Sequence, residues 1–337
     1  MKIFVYSDCH WSSSSSILRG HGEKYSLRLE NLILSVNWAE KMSKKVGANL
    51  VVCCGDFFDK SSLNSEEISA LSEIEWNTDA QHVMLVGNHE MWNNGVEISS
   101  SNIFKMLQFF VADNPYTELK SFGEICFIPY TEENDIKKIV AREYSGKRII
   151  FSHNDICGIQ MGKFISKNGF DLKDIESCCD LYVNGHLHNG EIIGNKIINI
   201  GNLTGQNFSE DATKYKHCAL VIDTDTFEYE EIENPNALNF YKVRYENLYG
   251  NLNSFKNGVL TVLCREEDVE KCRELLSDKN NIVSYKILLD RGKKTNSAAQ
   301  QLNKLQRVDH IEQFKEYIVS ELGDSDVIKQ ELLEVCR

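Results

Sequence analysis

Five short polar islands, each closing an apolar run, constrain this chain more than any other feature. They are Asp8-Cys9-His10, Gly55-Asp56-Phe57-Phe58-Asp59, Gly87-Asn88-His89-Glu90, Ser152-His153-Asn154 and Gly185-His186-Leu187-His188. The runs before them, Lys2–Ser7, Asn49–Cys54, His82–Val86, Arg148–Phe151 and Asp180–Asn184, read as strands. Helical patterns alternate with these strands. The longest spans Tyr25–Val46, where Leu29, Leu32, Ile33, Val36, Ala39 and Met42 recur at helical spacing. Glu66–Trp76, Ser99–Val111 and Asn134–Tyr144 are further expected helices. Alternation of this kind up to about residue 235 predicts a layered α/β domain, with the islands at the carboxyl ends of its strands.

The islands offer carboxylates, imidazoles and an amide carbonyl, a set suited to two divalent cations side by side. Asp8 and His10 are expected on the same side, because alternate residues of an extended segment share a face, and His186 and His188 repeat the arrangement. Asp56 has two oxygens and can bridge metals about 4 Å apart. Asn88 can ligate only through its amide oxygen, and His153 completes the count. Two cations lower the pKa of a shared water and clamp phosphate oxygens as charge develops. The mixed nitrogen and oxygen donors favour Mn, Fe, Zn or Mg, and the imidazoles count against Mg. His89 and Asp59 remain for chemistry: His89 to orient phosphate or protonate a leaving oxygen, Asp59 to hold its imidazole. Short motifs of this sort arise by chance singly, but five in succession, each after a strand, do not. His21, His82, His217 and His310 lie outside the islands and read as structural.

Composition narrows the class. The 337 residues, 42% hydrophobic, suffice for a large domain with a smaller attachment. The 11 cysteines form no C-x-x-C pair, so they read as reduced core residues rather than zinc ligands or disulfides. No stretch is long and apolar enough for a membrane span, and Met1–Ser7 lacks the pattern of a signal peptide, which points to the cytoplasm. A net charge of −13 weighs against a broad nucleic-acid footprint and leaves local charge to decide.

Near Pro235 the pattern changes. Gly258–Cys264 and Ile282–Leu289 read as strands around a helix at Glu266–Leu276, a small β-α-β unit. A polar linker comes next at Asp290–Ser297, then two amphipathic helices at Asp309–Leu322 and Asp326–Val335. The stripe Ile311, Phe314, Ile318, Ile328, Leu332 and Val335 needs a surface, on this chain or on another protein. The expected parts are therefore residues 1–235, 236–292 and 293–337.

At the islands Gly55–Asp59, Gly87–Glu90 and Gly185–His188 the chain resembles the calcineurin-like metallophosphoesterases, with their G-D-x-x-D, G-N-H-D/E and G-H-x-H elements. The resemblance implies a double β-sheet sandwich flanked by helices. It implies one metal on Asp8, His10, Asp56 and His188, and a second on Asp56, Asn88, His153 and His186. It also implies an Asp59–His89 dyad. Within that group the chain looks most like the SbcD/Mre-type DNA repair nucleases, through Phe127–Asn134, Ile200–Glu210 and the unit after Pro235. Here Trp11-Ser12 stand where the family usually has Leu-Gly, Asp59 where cellular members often carry histidine, and Glu90 where aspartate is common.

The likeness to these nucleases implies an Mn-dependent exonuclease on duplex ends and endonuclease on single strands. Residues 236–292 would form a DNA-gripping cap, and residues 293–337 would dock on a SbcC-type coiled-coil ATPase. A homodimer is left open. The competing expectations are a phosphatase or small-molecule phosphodiesterase on the same core, and a non-catalytic scaffold, which the full ligand set disfavours.

Overall fold

The computed structural model describes residues 1–140, 143–161, 164–248, 250–277 and 281–290. Two six-stranded sheets dominate it. The first runs, in spatial order, β16 (Tyr229–Glu233), β15 (Cys218–Asp223), β1 (Lys2–Tyr6), β2 (Leu50–Cys53), β3 (Gln81–Leu85) and β6 (Phe110–Ala112). From β1 to β6 neighbours are parallel, while β15 and β16 join antiparallel. The second runs β13 (Glu191–Ile193), β14 (Ile197–Asn199), β12 (Leu181–Asn184), β9 (Lys147–Ser152), β8 (Gly123–Ile128) and β7 (Tyr116–Lys120). Its four inner strands are parallel, and both edges are antiparallel.

Alternate residues of each strand face opposite layers, which is why the strand runs are apolar throughout. Ile3, Val5, Leu50, Val52, Val83 and Leu85 meet Ile125, Phe127, Ile149, Phe151, Leu181 and Val183 between the sheets. The other face of the first sheet, including Phe4, Tyr6, Val51, Cys53 and Met84, packs on Leu29, Leu32, Val36 and Ala39 of α1 (Leu27–Lys45). The outer face of the second sheet packs on Ile136 of α3 (Ile136–Ile139) and Ile175 of α4 (Leu172–Cys178). The result is the expected sandwich, helix–sheet–sheet–helix. The ten described cysteines are all unbonded and nine of them are buried, behaving as core residues.

Three expected helices are shorter than their sequence pattern. α2 covers Ser65–Leu71, started by a capping box between Asn64 and Glu67, and the chain leaves it before Trp76. Ser99–Val111 is not one helix. A 3₁₀ segment, Ser100–Leu107, stops where Gln108 turns left-handed (φ 62°), and the chain then enters β6. The pairing of Phe110 with Val83 in the sheet outweighs the helical periodicity. The expected helix at Asn134–Tyr144 is only α3, because Val140 leaves the helical region (φ −105°, ψ 145°). Two hairpins complete the domain, β4 (Met91–Trp92) with β5 (Gly95–Ser99) and β10 (Gln160–Met161) with β11 (Phe164–Ile165).

Beyond Pro235 a three-stranded sheet is ordered β17 (Asn239–Arg244), β18 (Gly258–Cys264) and β19 (Ile282–Leu289), with α5 at Val269–Ser277. The expected strands are present, and β17, unrecognised in the sequence, pairs parallel to β18. Leu238, Phe240 and Val259 pack against Ile17, Leu18 and Phe208. These elements, apart from the last residue of β19, belong to one unit, Met1–Leu288, and a second begins at Leu289. The helices expected at Asp309–Leu322 and Asp326–Val335, with most of the Asp290–Ser297 linker, lie outside the described residues.

Candidate metal centre

The loops after β1, β2, β3, β9 and β12 converge at the carboxyl ends of the parallel strands of both sheets, the expected placement. The reason Asp8 and His10 converge is not the one the sequence suggested. The strand ends at Tyr6, and both residues take left-handed backbone (φ 51° and 47°) rather than an extended form. Backbone bonds zip this loop to its neighbour, Asp8 N–H to Gly55 O at 3.1 Å and His10 N–H to Asp56 O at 3.0 Å. Asp56 (φ 47°) and His186 (φ 71°) are also left-handed. Four of the seven expected ligands thus sit in a conformation that costs a non-glycine residue on the order of 1–2 kcal/mol. Beneath them Trp11 is buried, stacked on Phe57 and donating its indole N–H to Glu67 O, so it anchors the loop.

The glycines preceding the ligands are fixed by packing. A Cβ on Gly55 would lie 2.3 Å from His153 Nδ1, and one on Gly87 would lie 2.1 Å from Asp56 Oδ1. A Cβ on Gly185 would meet Ser7 Oγ at 2.2 Å and Cys54 O at 2.3 Å. Each glycine lets a ligand of another loop rest on its backbone.

The donor atoms form two groups that share Asp56. His10 Nε2 lies 3.1 Å from His188 Nε2, and 3.9 Å from both Asp8 Oδ1 and Asp56 Oδ2. On the other side Asp56 Oδ2 lies 3.1 Å from His153 Nε2, and Asn88 Oδ1 lies 3.3 Å from His153 Nε2 and 3.0 Å from His186 Nδ1. Asp8, His10 and His188 form one compact trio, and Asp56, His153 and His186 another. All seven expected ligands are therefore brought together.

Whether these atoms suit cations can be judged from what their other ends do. Asp8 Oδ2 accepts from Ser7 Oγ–H and from His186 N–H, whereas buried Asp8 Oδ1 has no hydrogen-bond partner. Asp56 Oδ1 accepts from His89 N–H, leaving Oδ2 for the shared position. Each imidazole is held from behind: His10 Nδ1 by Asp59 Oδ1 at 3.0 Å, and His153 Nδ1 by Cys54 O at 2.6 Å. His186 Nε2 is held by Asp155 Oδ1 at 3.2 Å, and His188 Nδ1 lies 3.5 Å from Glu210 Oε1. That arrangement turns a nitrogen lone pair of each ring inward. Facing lone pairs of His10 and His188, beside an orphaned carboxylate oxygen, call for positive charge between them, so the residues fit a divalent metal pair.

The electrostatics show the same demand for positive charge around Asp56, which favours a proton on His153. Burial works against ionised Asp56, but His153, His10 and His89 outweigh it and hold its carboxyl well below the usual range. Burial likewise opposes a charged His153, and Asp56 prevails, raising that imidazole to about 9. His10 is lowered, chiefly by burial. The hydrogen bond from His186 lowers Asp155.

His89 and Asp59 stand at the rim, each less than half exposed at 44% and 43% of the side chain. The Asp59 carboxylate bonds His10 rather than His89, from which it lies 3.7 Å. It is the Asp59 backbone carbonyl that His89 Nδ1 meets, at 3.1 Å. Asp59 therefore joins the two histidines instead of serving His89 alone.

Several functional residues escaped the sequence reading. Asp155 directly succeeds its island, and Glu210 closes the Ile200–Glu210 stretch, so both could have been found there. Glu210 also accepts from Asn202 Nδ2 and Gln206 N–H, and His217 lies behind it at 3.8 Å. Arg28, at the start of α1, is buried and donates to Gly205 O at 3.2 Å; burial lowers it to about 10. Glu90 is wholly buried, accepting from Phe58 N–H, Gly87 N–H and Ser101 Oγ–H, and so ties two islands together. Of the histidines read as structural, His82 is buried against Glu40 at 2.9 Å, and His310 lies outside the described residues.

The family model for calcineurin-like phosphoesterases matches residues 1–190. No curated protein matches the chain. Among solved structures it is similar to an archaeal phosphodiesterase (18% identity, TM-score 0.37, covering 69% of this chain and 99% of that one). It is also similar to a dimetal phosphatase from Danio rerio (11%, 0.39, 69% and 98%) and to the calcineurin-like phosphoesterase YfkN from Bacillus subtilis (10%, 0.34, 69% and 88%).

Proposed function

The chain belongs to the calcineurin-like phosphoesterases, metal-dependent hydrolases of phosphoesters, and from that premise we propose that it is a DNA phosphodiesterase. The reading is of an Mn-dependent exonuclease on duplex ends and endonuclease on single strands. The observation that carries it is a cationic and aromatic shelf beside the centre. Lys286 Nζ lies 3.4 Å from the centroid of the Phe208 ring, and its pKa is lowered by burial and by neighbouring Lys242. Phe208 is two residues from Glu210, the carboxylate behind His188. Two lysines, one of them seated on the Phe208 ring, suit a nucleic-acid backbone in a chain whose net charge is −13.

Asp8, His10, Asp56 and His188 would hold one cation, and Asp56, Asn88, His153 and His186 the other. Bound there, two cations supply the charge that polarises a phosphoester and acidifies water. The chain's own residues do the rest. Asp59, Asp155, Glu210 and the Cys54 carbonyl fix the tautomer and aim of the four imidazoles. His89 donates its Nδ1–H to the Asp59 carbonyl; as the imidazolium it carries a second proton, on Nε2, which it would give to the leaving oxygen to become the neutral ring. The sheet β17–β19 serves as the cap that grips DNA. The segments Asp309–Leu322 and Asp326–Val335 dock a coiled-coil ATPase of the SbcC type in the cytoplasm. Among the described residues no helix is long and apolar enough to cross a membrane.

The test offers Mn-loaded protein linear duplex DNA, single-stranded DNA and an aryl phosphomonoester, with Asp56→Asn as the control for contaminants. DNA cleavage lost in Asp56→Asn, and reduced roughly tenfold in Lys242→Ala/Lys286→Ala, supports the nuclease. Monoester hydrolysis with intact DNA, with and without the ATPase, replaces it with the second reading, a phosphatase. The acidic net charge favours that alternative. Loss of ATPase co-purification on truncation before Asp309 tests the docking segment.

A further inference from the structure

A cleft of about 770 Å³ opens at the metal residue Asn88 and runs to the β4–β5 hairpin. That volume is within the range of small-molecule sites. Tyr130 stands at its inner end, its ring 5.8 Å from that of His186. Trp92 lines the outer end and is 52% exposed, an unusual position for the largest apolar side chain. Trp92 pairs with Gly95 across Asn93 and Asn94, whose φ angles of 52° and 58° are those of a type I′ turn.

The cleft's charge says what it takes. Glu97 and Glu132 line it, and among the described residues no lysine or arginine does. A second phosphate would be repelled there. An uncharged planar group has an exposed aromatic ring to stack on at Trp92 and a second at Tyr130. The lysine shelf at Phe208 has the opposite character, so the two flanks of the centre suit different parts of a nucleic-acid strand.

We propose that this cleft is the subsite for a single terminal nucleoside on one side of the scissile phosphate, with Trp92 as its stacking surface. The inference rests on the diesterase reading above and deepens it: the strand continues along the lysine shelf and ends in the cleft. A strand end carrying a further phosphate on that side is disfavoured.

Two measurements test it. Under Mn, thymidine 5′-(p-nitrophenyl phosphate) and methyl p-nitrophenyl phosphate are compared as substrates. Trp92→Ala is expected to lower the preference for the thymidine ester by roughly 10-fold, through KM, with Trp92→Phe recovering most of it. Separately, in EDTA, thymidine should quench the part of the fluorescence that Trp92→Phe removes, and thymidine 3′,5′-bisphosphate should do so several-fold more weakly. An unchanged preference in Trp92→Ala, or no Trp92-dependent quenching, overturns the subsite even if both diesters are cleaved. Quenching with neither diester cleaved sustains the subsite and overturns the diesterase reading instead.

Discussion

The ligand floor and the hairpin rim lie side by side and are built by opposite rules. On the floor, Asp8, His10, Asp56 and His186 are non-glycine residues held left-handed, while neighbouring glycines are packed so tightly that a methyl group has no room. Every imidazole is tethered at its far nitrogen, and Asp8 and His153 are wholly buried. On the rim, the left-handed positions belong to Asn93 and Asn94, residues that accept that conformation readily, and Trp92 projects half-exposed. The floor spends backbone strain to aim donors, whereas the rim only needs to present a surface. Chemistry should therefore be intolerant of change in the first region and selectivity adjustable in the second.

The largest effect is expected where the floor is tightest. Gly87→Ala places a methyl 2.1 Å from Asp56 Oδ1 and 2.5 Å from the Asp56 backbone nitrogen. Backbone cannot swing aside as a flexible side chain can, so the shared carboxylate must move. Overpacking of this kind costs about 1–3 kcal/mol or more. Metal content should fall below two per chain, with hydrolysis reduced to background. Gly47→Ala is the control: its φ is 69°, but the added methyl meets nothing within 4 Å. It should lower stability by about 1–2 kcal/mol with metal content intact. Equal metal content in the two variants would remove the claim that the floor is rigid.

Next comes the buried acid that joins two islands. Burial, with the Asp56 charge, raises Glu90 to about 7, and its three donors keep it from rising further. A carboxyl raised from 4.5 in the unfolded chain to about 7 in the fold binds more protons when folded. Its contribution is present in full below pH 4.5 and is lost as pH rises through 7. In EDTA, wild type should lose about 3 kcal/mol relative to Glu90→Gln over that window, measured by denaturant unfolding. Manganese should shrink the loss, because cations offset Asp56. A wild-type advantage that grows with pH would refute the assignment.

The outer tethers should matter less than either. Asp155→Asn keeps the shape of the partner of His186 Nε2 but removes its charge, and Glu210→Gln does the same behind His188. Losses of this kind are typically 10–100-fold in metal affinity. Calorimetric titration should find one site weakened in each variant and the other nearly unchanged. If both sites weaken together in Asp155→Asn, the two donor groups are not separable through Asp56.

Much of the floor was legible in the sequence because ligands must be of particular types at the ends of particular strands. The reason for the convergence of Asp8 and His10 was not, since alternation along a strand stops being a guide once the backbone turns left-handed. Tethers were harder still: Asp155 and Glu210 lie in or beside stretches the sequence marks out, but their pairing with His186 and His188 is set only in the folded chain. Strand β6 was hidden under a helical periodicity that ends at Gln108, where sheet pairing decides the outcome. Strand β17 carries mixed side chains, Asn239-Phe240-Tyr241-Lys242-Val243-Arg244, whose partners lie on β18, and so gave no local signal. The Trp92 hairpin directly succeeds the third island, yet its Asn-Asn turn is a weak cue without the pairing of Trp92 and Gly95.

The smallest effect is predicted on the rim, and it is the mirror of the largest. Asn94→Gly removes a Cβ from a left-handed position, where Gly87→Ala adds one beside a ligand. Glycine suits the second residue of a type I′ turn, and its extra freedom in the unfolded chain offsets that gain. Stability should shift by no more than about 0.5 kcal/mol, and metal content should stay at the wild-type value. The discriminating measurement is the ratio of thymidine ester to methyl ester turnover. It should move less in Asn94→Gly than in Trp92→Ala, because the turn is kept and the stacking ring remains. A loss of metal from Asn94→Gly would mean that the rim braces the floor, and the division between fixed chemistry and adjustable selectivity would not hold.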